Sequence, residues 1–244
     1  MCCFAALVPC LRVNQLQGEA ATLRRDIQDN NPRAAAESLA NAYSGGRGDA
    51  AAKALAAAAA GGASAAAVGK AVAETSRVRP NAAPWLLRQS ADYAVNNGHV
   101  GGFSRAISQS FAFARQQNFL PSFVPAIANA ILGGGVQTRY AFGSAIATAI
   151  ADGGDSRAAV AEATATAMCS GGSTAQAFAE AYAVAIEQDS QGCTVLKEAH
   201  AMAYARCGPG YAEAWSKTEA TSTVLGYCFY DNNDFWGNWG RKLK

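Results

Sequence analysis

A short signature, Ala-x-Ala followed by an apolar side chain, returns at a fixed step of 18 residues through the second half of the chain. A constant step of this kind restricts the fold to stacked, near-equivalent units. The copies are Ala147-Thr148-Ala149-Ile150, Ala165-Thr166-Ala167-Met168, Ala183-Val184-Ala185-Ile186 and Ala201-Met202-Ala203-Tyr204. Glycine follows each copy, as Gly153-Gly154, Gly171-Gly172, Gly192 and Gly208. Looser copies lie upstream, at Ala128-Asn129-Ala130-Ile131 before Gly133-Gly134-Gly135, and at Ala40-Asn41-Ala42-Tyr43 before Gly45-Gly46.

The alternation of Ala175, Ala177, Ala179, Ala181, Ala183 and Ala185 has period two. Taken alone, it suits a strand, and the 18-residue step suits one coil of a β-solenoid. Three features favour helix instead. Alanine is the strongest helix former and is depleted in strands. The intervening positions form no uniform strand face, whereas Phe178, Tyr182 and Ile186 stack at helical spacing. Asp155 and Ser173 stand where N-caps belong, Ser173 with Gln176 matches a capping box, and the glycine pairs suit helix C-caps.

The same punctuation elsewhere predicts short helices over 11–28, 32–44, 49–60, 64–77, 83–96, 102–117, 121–132, 136–152, 155–169, 173–188, 194–206 and 211–224. The expected fold is all-α, an array or short solenoid of about 10–12 short alanine-rich helices joined by Gly-Gly turns. None of these helices would hold alone in water, so they must pack on one another. We divide the chain into a looser Ala/Gly-rich front over 1–80, helical or partly disordered, a helical repeat domain over 81–226, and an aromatic-rich cap or tail over 227–244.

Composition narrows the function classes. The 244 residues include 58 alanines and 24 glycines, and only 16% are charged, against roughly 25% in ordinary soluble domains. An alanine methyl gains little on burial compared with the ~1.5–3 kcal/mol of a large apolar side chain, so such a core demands close backbone approach. A net charge of +2 is too neutral for nucleic-acid binding by phosphate neutralisation. No apolar run is long enough for a transmembrane segment.

Candidate chemistry is sparse, and no cofactor is implied. His99 lies in a turn and His200 inside a repeat helix, neither with partner spacing for catalysis or metal binding. Gly-x-Ser-x-Gly and P-loop patterns are absent, and Asp231-Asn232-Asn233-Asp234 lacks the distal Glu of a calcium loop. Arg47-Gly48-Asp49 is a three-residue match to an adhesion tripeptide, with Asp49 suited to an N-cap. Thr148 and Thr166 share a repeat position, but Val184 and Met202 end that ladder.

The cysteines fall into two groups, Cys2, Cys3 and Cys10, then Cys169, Cys193, Cys207 and Cys228. Met1–Leu11 has an apolar stretch with no basic residue before it, a pattern open to three readings: a signal peptide cut short at its front, an anchor acylated at Cys2 and Cys3, or a retained segment. Without it, four cysteines remain, with three possible pairings and no Cys-x-x-Cys for zinc. Cys169 and Cys207 each fall near a helix end, which suits a bridge between stacked repeats and with it secretion; the alternative is small buried thiols in a reducing compartment. Tyr227, Phe229, Tyr230, Phe235, Trp236 and Trp239 crowd the C-terminal region. That cluster suits a cover for the last repeat, a self-association patch or a polysaccharide-stacking face.

The repeat style resembles the helical repeats of silk proteins, the spidroins, especially of the egg-case type. The segments that carry the likeness are Gly102-Phe103-Ser104-Arg105-Ala106-Ile107-Ser108-Gln109-Ser110-Phe111-Ala112-Phe113-Ala114-Arg115 and Ala141-Phe142-Gly143-Ser144-Ala145-Ile146-Ala147-Thr148-Ala149-Ile150, within residues 102–206. The resemblance implies bundles of short helices in a secreted structural protein. The chain departs from it in its cysteines, its Trp-rich end and its lack of a long serial module. The function expected is a non-enzymatic structural or interaction protein that binds itself or another protein through exposed alanine faces and the aromatic tail. The alternative is a secreted carbohydrate-binding module using that aromatic cluster.

Overall fold

The computed structural model describes residues 65–208 continuously, with isolated positions at 21, 22, 25, 26, 29, 52, 55, 56, 59 and 228. The described residues form eight consecutive helices and no strand: α1 Ala65–Val78, α2 Ala83–Asn96, α3 Val100–Gln116, α4 Leu120–Gly133, α5 Val136–Asp152, α6 Gly154–Ser170, α7 Gly172–Gln188 and α8 Gly192–Cys207. The fold is therefore all-α, and the period-two alanines of 175–185 lie in a helix. The helices expected over 11–28, 32–44, 49–60 and 211–224 lie outside the continuously described residues.

The helix expected over 102–117 spans Val100–Gln116 and that over 194–206 spans Gly192–Cys207; the caps differ at the glycine joints. Asp155 and Ser173 do not cap α6 and α7. The caps are Gly153 and Gly171, with φ of 70° and 66°, and neither helix start has a side-chain cap bond. Each glycine closes one helix and opens the next, so α5–α6 and α6–α7 are joined through a single residue. A left-handed φ of this size is cheap only for glycine, which has no side chain with which to cap the helix it opens. Asp155 sits in the first turn of α6, and Ser173 is exposed near the start of α7.

Helices two apart in sequence make the main contacts. Odd-numbered helices form one row, α1–α3–α5–α7, and even-numbered helices a second, α2–α4–α6–α8. Contacts of α2 with α5, α3 with α6 and α4 with α7 close the rows on each other. The core between them is largely alanine. Ala71, Ala91, Ala114, Ala128, Ala149, Ala167, Ala185 and Ala203 are fully covered. Larger side chains fill the wider gaps. Phe111 of α3 meets Phe123 of α4 and Phe178 of α7 edge-on, at 5.2 and 6.4 Å between ring centres, and Phe103 meets Phe142 at 5.5 Å. Ala52, Leu55 and Ala56 join the same core, and the Ser90 hydroxyl donates to the Ala52 carbonyl.

Among the repeat alanines of the four regular copies, only Ala201, in the last described helix, is exposed. Both alanines of the copies at 147/149 and 165/167 are buried, Ala183 is half-buried beside buried Ala185, and Ala201 is exposed beside buried Ala203. Methyl-sized contacts require backbones to touch, and glycine permits this where even a methyl would not fit. A Cβ on Gly143 of α5 would lie 2.8 Å from the Ala181 carbonyl oxygen and 2.5 Å from Val184 Cβ on α7. Gly143→Ala is expected to destabilise the protein by about 1–3 kcal/mol through overpacking. Gly101→Ala, on an open face of α3, is expected to be neutral or to stabilise by up to about 1 kcal/mol. Urea midpoints of the two variants check the contrast.

Candidate functional site

The repeat carries more than its alanines. In register with them, Glu-Ala-x-Ala-x-Ala occurs at Glu162–Ala167, Glu180–Ala185 and Glu198–Ala203. Each glutamate lies on the helix surface and each takes an arginine from another helix. Arg139 of α5 meets Glu180 of α7 at 3.0 Å, and 18 residues on, Arg157 of α6 meets Glu198 of α8 at 2.8 Å. A second rung repeats with the same shift. Gln188 donates to the Ser144 hydroxyl at 3.0 Å between α7 and α5, and Arg206 donates to Glu162 at 2.8 Å between α8 and α6. Both rungs join lower-numbered to lower-numbered and higher to higher, so α5 runs parallel to α7 and α6 to α8. Exposed pairs of this kind are worth only about 0–1 kcal/mol each, so they fix register more than stability.

The position after each Glu-Ala is polar and buried, occupied by Thr164, Tyr182 and His200. The Thr164 hydroxyl donates to the Val160 carbonyl of its own helix at 2.8 Å. Burial pushes the Tyr182 phenol well above the ordinary tyrosine range; the nearby Thr164 and Arg157 oppose that shift and Glu198 adds to it. Tyr182 is therefore held neutral. Burial alone pushes the His200 imidazole down to about 4, so it too stays neutral. Glu162 is the opposite case. Partial desolvation raises its carboxyl, but the hydrogen bonds and charges of Arg206 and Arg115 outweigh this and hold it below the usual carboxylate range. Arg115 of α3 reaches Glu162 at 3.0 Å and Asp155 at 3.6 Å, which ties the two rows together.

The four cysteines of the second group pair as Cys169–Cys207 and Cys193–Cys228, with Cα separations of 5.7 and 5.2 Å. The first bridge joins the C-terminal ends of α6 and α8, between stacked repeats. The second fixes the first turn of α8 to the buried Cys228. Helix α8 is thus held by a bridge near each end. Thr148 and Thr166 form no outward ladder, because their hydroxyls donate to Ser144 and Glu162 carbonyls one turn back. His99 stands apart from this region as the N-cap residue of α3. The aromatic residues Tyr227, Phe229, Tyr230, Phe235, Trp236 and Trp239, together with Asp231–Asp234 and Arg47–Asp49, lie outside the described residues.

Sequence reasoning missed the glutamate register and the buried Thr164–Tyr182–His200 positions. The signal for both was present, since Glu162, Glu180 and Glu198 are 18 residues apart. Among the described residues, no group of His, Cys, Asp or Glu converges as metal ligands, and no helix is long and apolar enough to cross a membrane. Compared with protein-family models, curated proteins and solved structures, the chain matches none of them.

The arrangement makes stability depend on pH. The unfolded chain protonates His200 near its ordinary 6.5, while the folded protein resists protonation until about 4. The contribution is therefore complete above pH 6.5 and declines as the pH falls from 6.5 to about 4, by up to about 3 kcal/mol. Glu162, held low, adds a contribution that is complete well above the ordinary carboxylate value of 4.5 and is lost as the pH falls from there through its lowered folded value. Urea titrations between pH 8 and pH 4 are expected to show this slope, and His200→Gln is expected to flatten it.

Proposed function

We propose that the protein is a non-enzymatic structural or interaction protein, built from alanine-rich helical repeats and assembling with copies of itself. The observation that carries this reading is the exposed face of α8, the last helix of the even-numbered row among the described residues. In α6, the buried positions Ala161, Ala165 and Met168 lie in the helix that α8 packs against. Two helices on in the repeat, their register equivalents on α8 are Lys197, Ala201 and Tyr204, all exposed. Among the described residues the row ends at α8, whose exposed face sets Ala201 between Lys197 and Tyr204. A helix from a second copy fits that face, because the same repeat supplies both the small side chains and the Arg–Glu register.

The use of the polar groups supports the same reading. Arg115, Arg139, Arg157, Glu162, Glu180 and Glu198 tie one helix to another. Buried Ser110, Thr75 and Thr164 bond the carbonyl one turn back on their own helix. The likeness to helical silk repeats points to the same class, a scaffold whose function lies in packing.

Sedimentation velocity over a wide concentration range tests the reading. The full chain is expected to associate as concentration rises, and Ala201→Glu with Tyr204→Glu is expected to keep it monomeric with an unchanged helical dichroism spectrum. A chain that stays monomeric throughout, or purified protein that turns over generic substrates at enzyme-like rates, overturns it.

A further inference from the structure

The turn from α2 to α3 and the turn from α3 to α4 close their helices with the same set of bonds. At the first, the Asn97, Gly98 and His99 amides donate to the carbonyls of Tyr93, Val95 and Ala94 at 3.1, 3.3 and 2.7 Å. At the second, the Gln117, Asn118 and Phe119 amides donate to those of Phe113, Arg115 and Ala114 at 3.0, 3.1 and 2.9 Å. Gly98 and Asn118 hold the left-handed position of this helix-ending motif, with φ of 71° and 57°. The two turns differ in one chemical respect. Asn97 is followed by glycine, the one Asn-Gly pair of the chain, whereas Asn118 is followed by Phe119. Asn97 and Gly98 are exposed, and a Cβ added at Gly98 would meet nothing within 4 Å. The Phe119 amide lies in a tighter bond, and its ring packs edge-on against Phe113 at 5.9 Å.

We propose that Asn97-Gly98 is a self-modifying site, at which Asn97 converts through a cyclic imide to isoaspartate and aspartate and so loosens the α2–α3 joint as the protein ages. The Gly98 nitrogen attacks Asn97 Cγ, the Cγ–Nδ2 bond breaks, and the Gly98 amide proton leaves with the side-chain nitrogen as ammonia. Water then adds to one carbonyl of the five-membered imide, one C–N bond breaks, and the new carboxylic acid releases a proton. Opening at the main-chain carbonyl leaves the chain running through Cβ and Cγ, as isoaspartate. Opening at Cγ leaves aspartate. No electrons are exchanged, and water is the only co-reactant. Glycine favours the first step, because no side chain shields its nitrogen. Two bonds must open beforehand. One is Gly98 N–H to the Val95 carbonyl, the longest of the three at 3.3 Å; the other is the exposed bond from Asn97 Nδ2 to the Tyr93 carbonyl at 2.8 Å. Opening at an exposed helix end costs little.

Either product removes a donor and adds a charge in an unfavourable place. A carboxylate cannot donate to the Tyr93 carbonyl, and it stands at the C-terminal end of α2, where the helix dipole disfavours negative charge. Isoaspartate also lengthens the main chain by one methylene inside the motif, so the His99–Ala94 bond cannot keep its 2.7 Å geometry. The preceding residue, Asn96, accepts from Gln137 of α5 at 2.9 Å, so the disturbance begins one residue from a contact between the two rows.

The test is incubation of the folded full chain at mildly alkaline pH, sampled over weeks by peptide mass spectrometry, isoaspartyl methyltransferase labelling and hydrogen exchange. Conversion at Asn97 is expected to run at least about tenfold faster than at Asn96, Asn118 or Asn129, each of which is followed by a residue with a side chain. It is expected to quicken as the pH rises and to give mostly isoaspartate. Exchange at 97–103 is expected to rise by about tenfold or more in the converted protein, with α6–α8 unchanged. Asn97→Gln, which keeps the amide, is expected to resist conversion and to hold its exchange constant with age. The proposal is overturned if Asn97 stays intact or converts no faster than Asn118, or if the product is aspartate alone. It is equally overturned if conversion leaves exchange at 97–103 unaltered, or if Asn97→Gln loosens there at the same pace.

Discussion

Contact distance is the constraint on which this fold depends. Alanine side chains offer one methyl each, and dispersion between such small groups falls away within a fraction of an ångström. The helices must therefore touch almost backbone to backbone. Gly143 against the Ala181 carbonyl shows how close that is, and Gly69 of α1 against the Ala106 carbonyl of α3 repeats it in the same row. The large side chains are few and are placed where the rows diverge, as with Phe111 between Phe123 and Phe178. Two rows of parallel neighbours satisfy this constraint, because each helix then presents one face to its row and another to the opposing row.

The repeat uses a single register for three different purposes. Surface glutamates at 162, 180 and 198 set how far one helix slides along another. The next position but one is buried and polar, and its occupant changes from Thr164 to Tyr182 to His200. Thr164 satisfies itself on its own helix, whereas Tyr182 and His200 remain neutral through burial. The third use is covalent and joins the last described helix, through Cys207, to Cys169 of α6. The last described helix thus carries both the buried His200 and one cysteine of each cross-link.

Helix content and boundaries were legible from glycine and alanine spacing. The ranges 83–96 and 136–152 coincide with α2 and α5, and 64–77 falls one residue from α1. The caps at Asp155 and Ser173 were misread because a glycine with positive φ ends one helix and begins the next without any side-chain bond. The rungs could not be read from the linear pattern. They join residues 41 to 44 apart, a separation that acquires meaning only once packing between helices two apart is known. Cysteine pairing has the same origin, since the packing of α8 on α6 that brings Arg206 to Glu162 also brings Cys207 to Cys169. The inward turn of most repeat alanines follows from the same packing, because the small face is the only one that lets the rows close.

The one-residue joints at Gly153 and Gly171 leave the chain no slack. In a protein with looped connections, an added residue is absorbed locally and its effect ends there. Here, one extra residue in a joint would rotate the following helix by about a hundred degrees and slide it by about 1.5 Å. The methyl contacts and Arg–Glu rungs that join helices before that point to helices after it, such as Arg139–Glu180, would then be lost together. Length in this part of the chain can change only in whole units, so the fold tolerates duplication of a repeat far better than the insertion of a single amino acid.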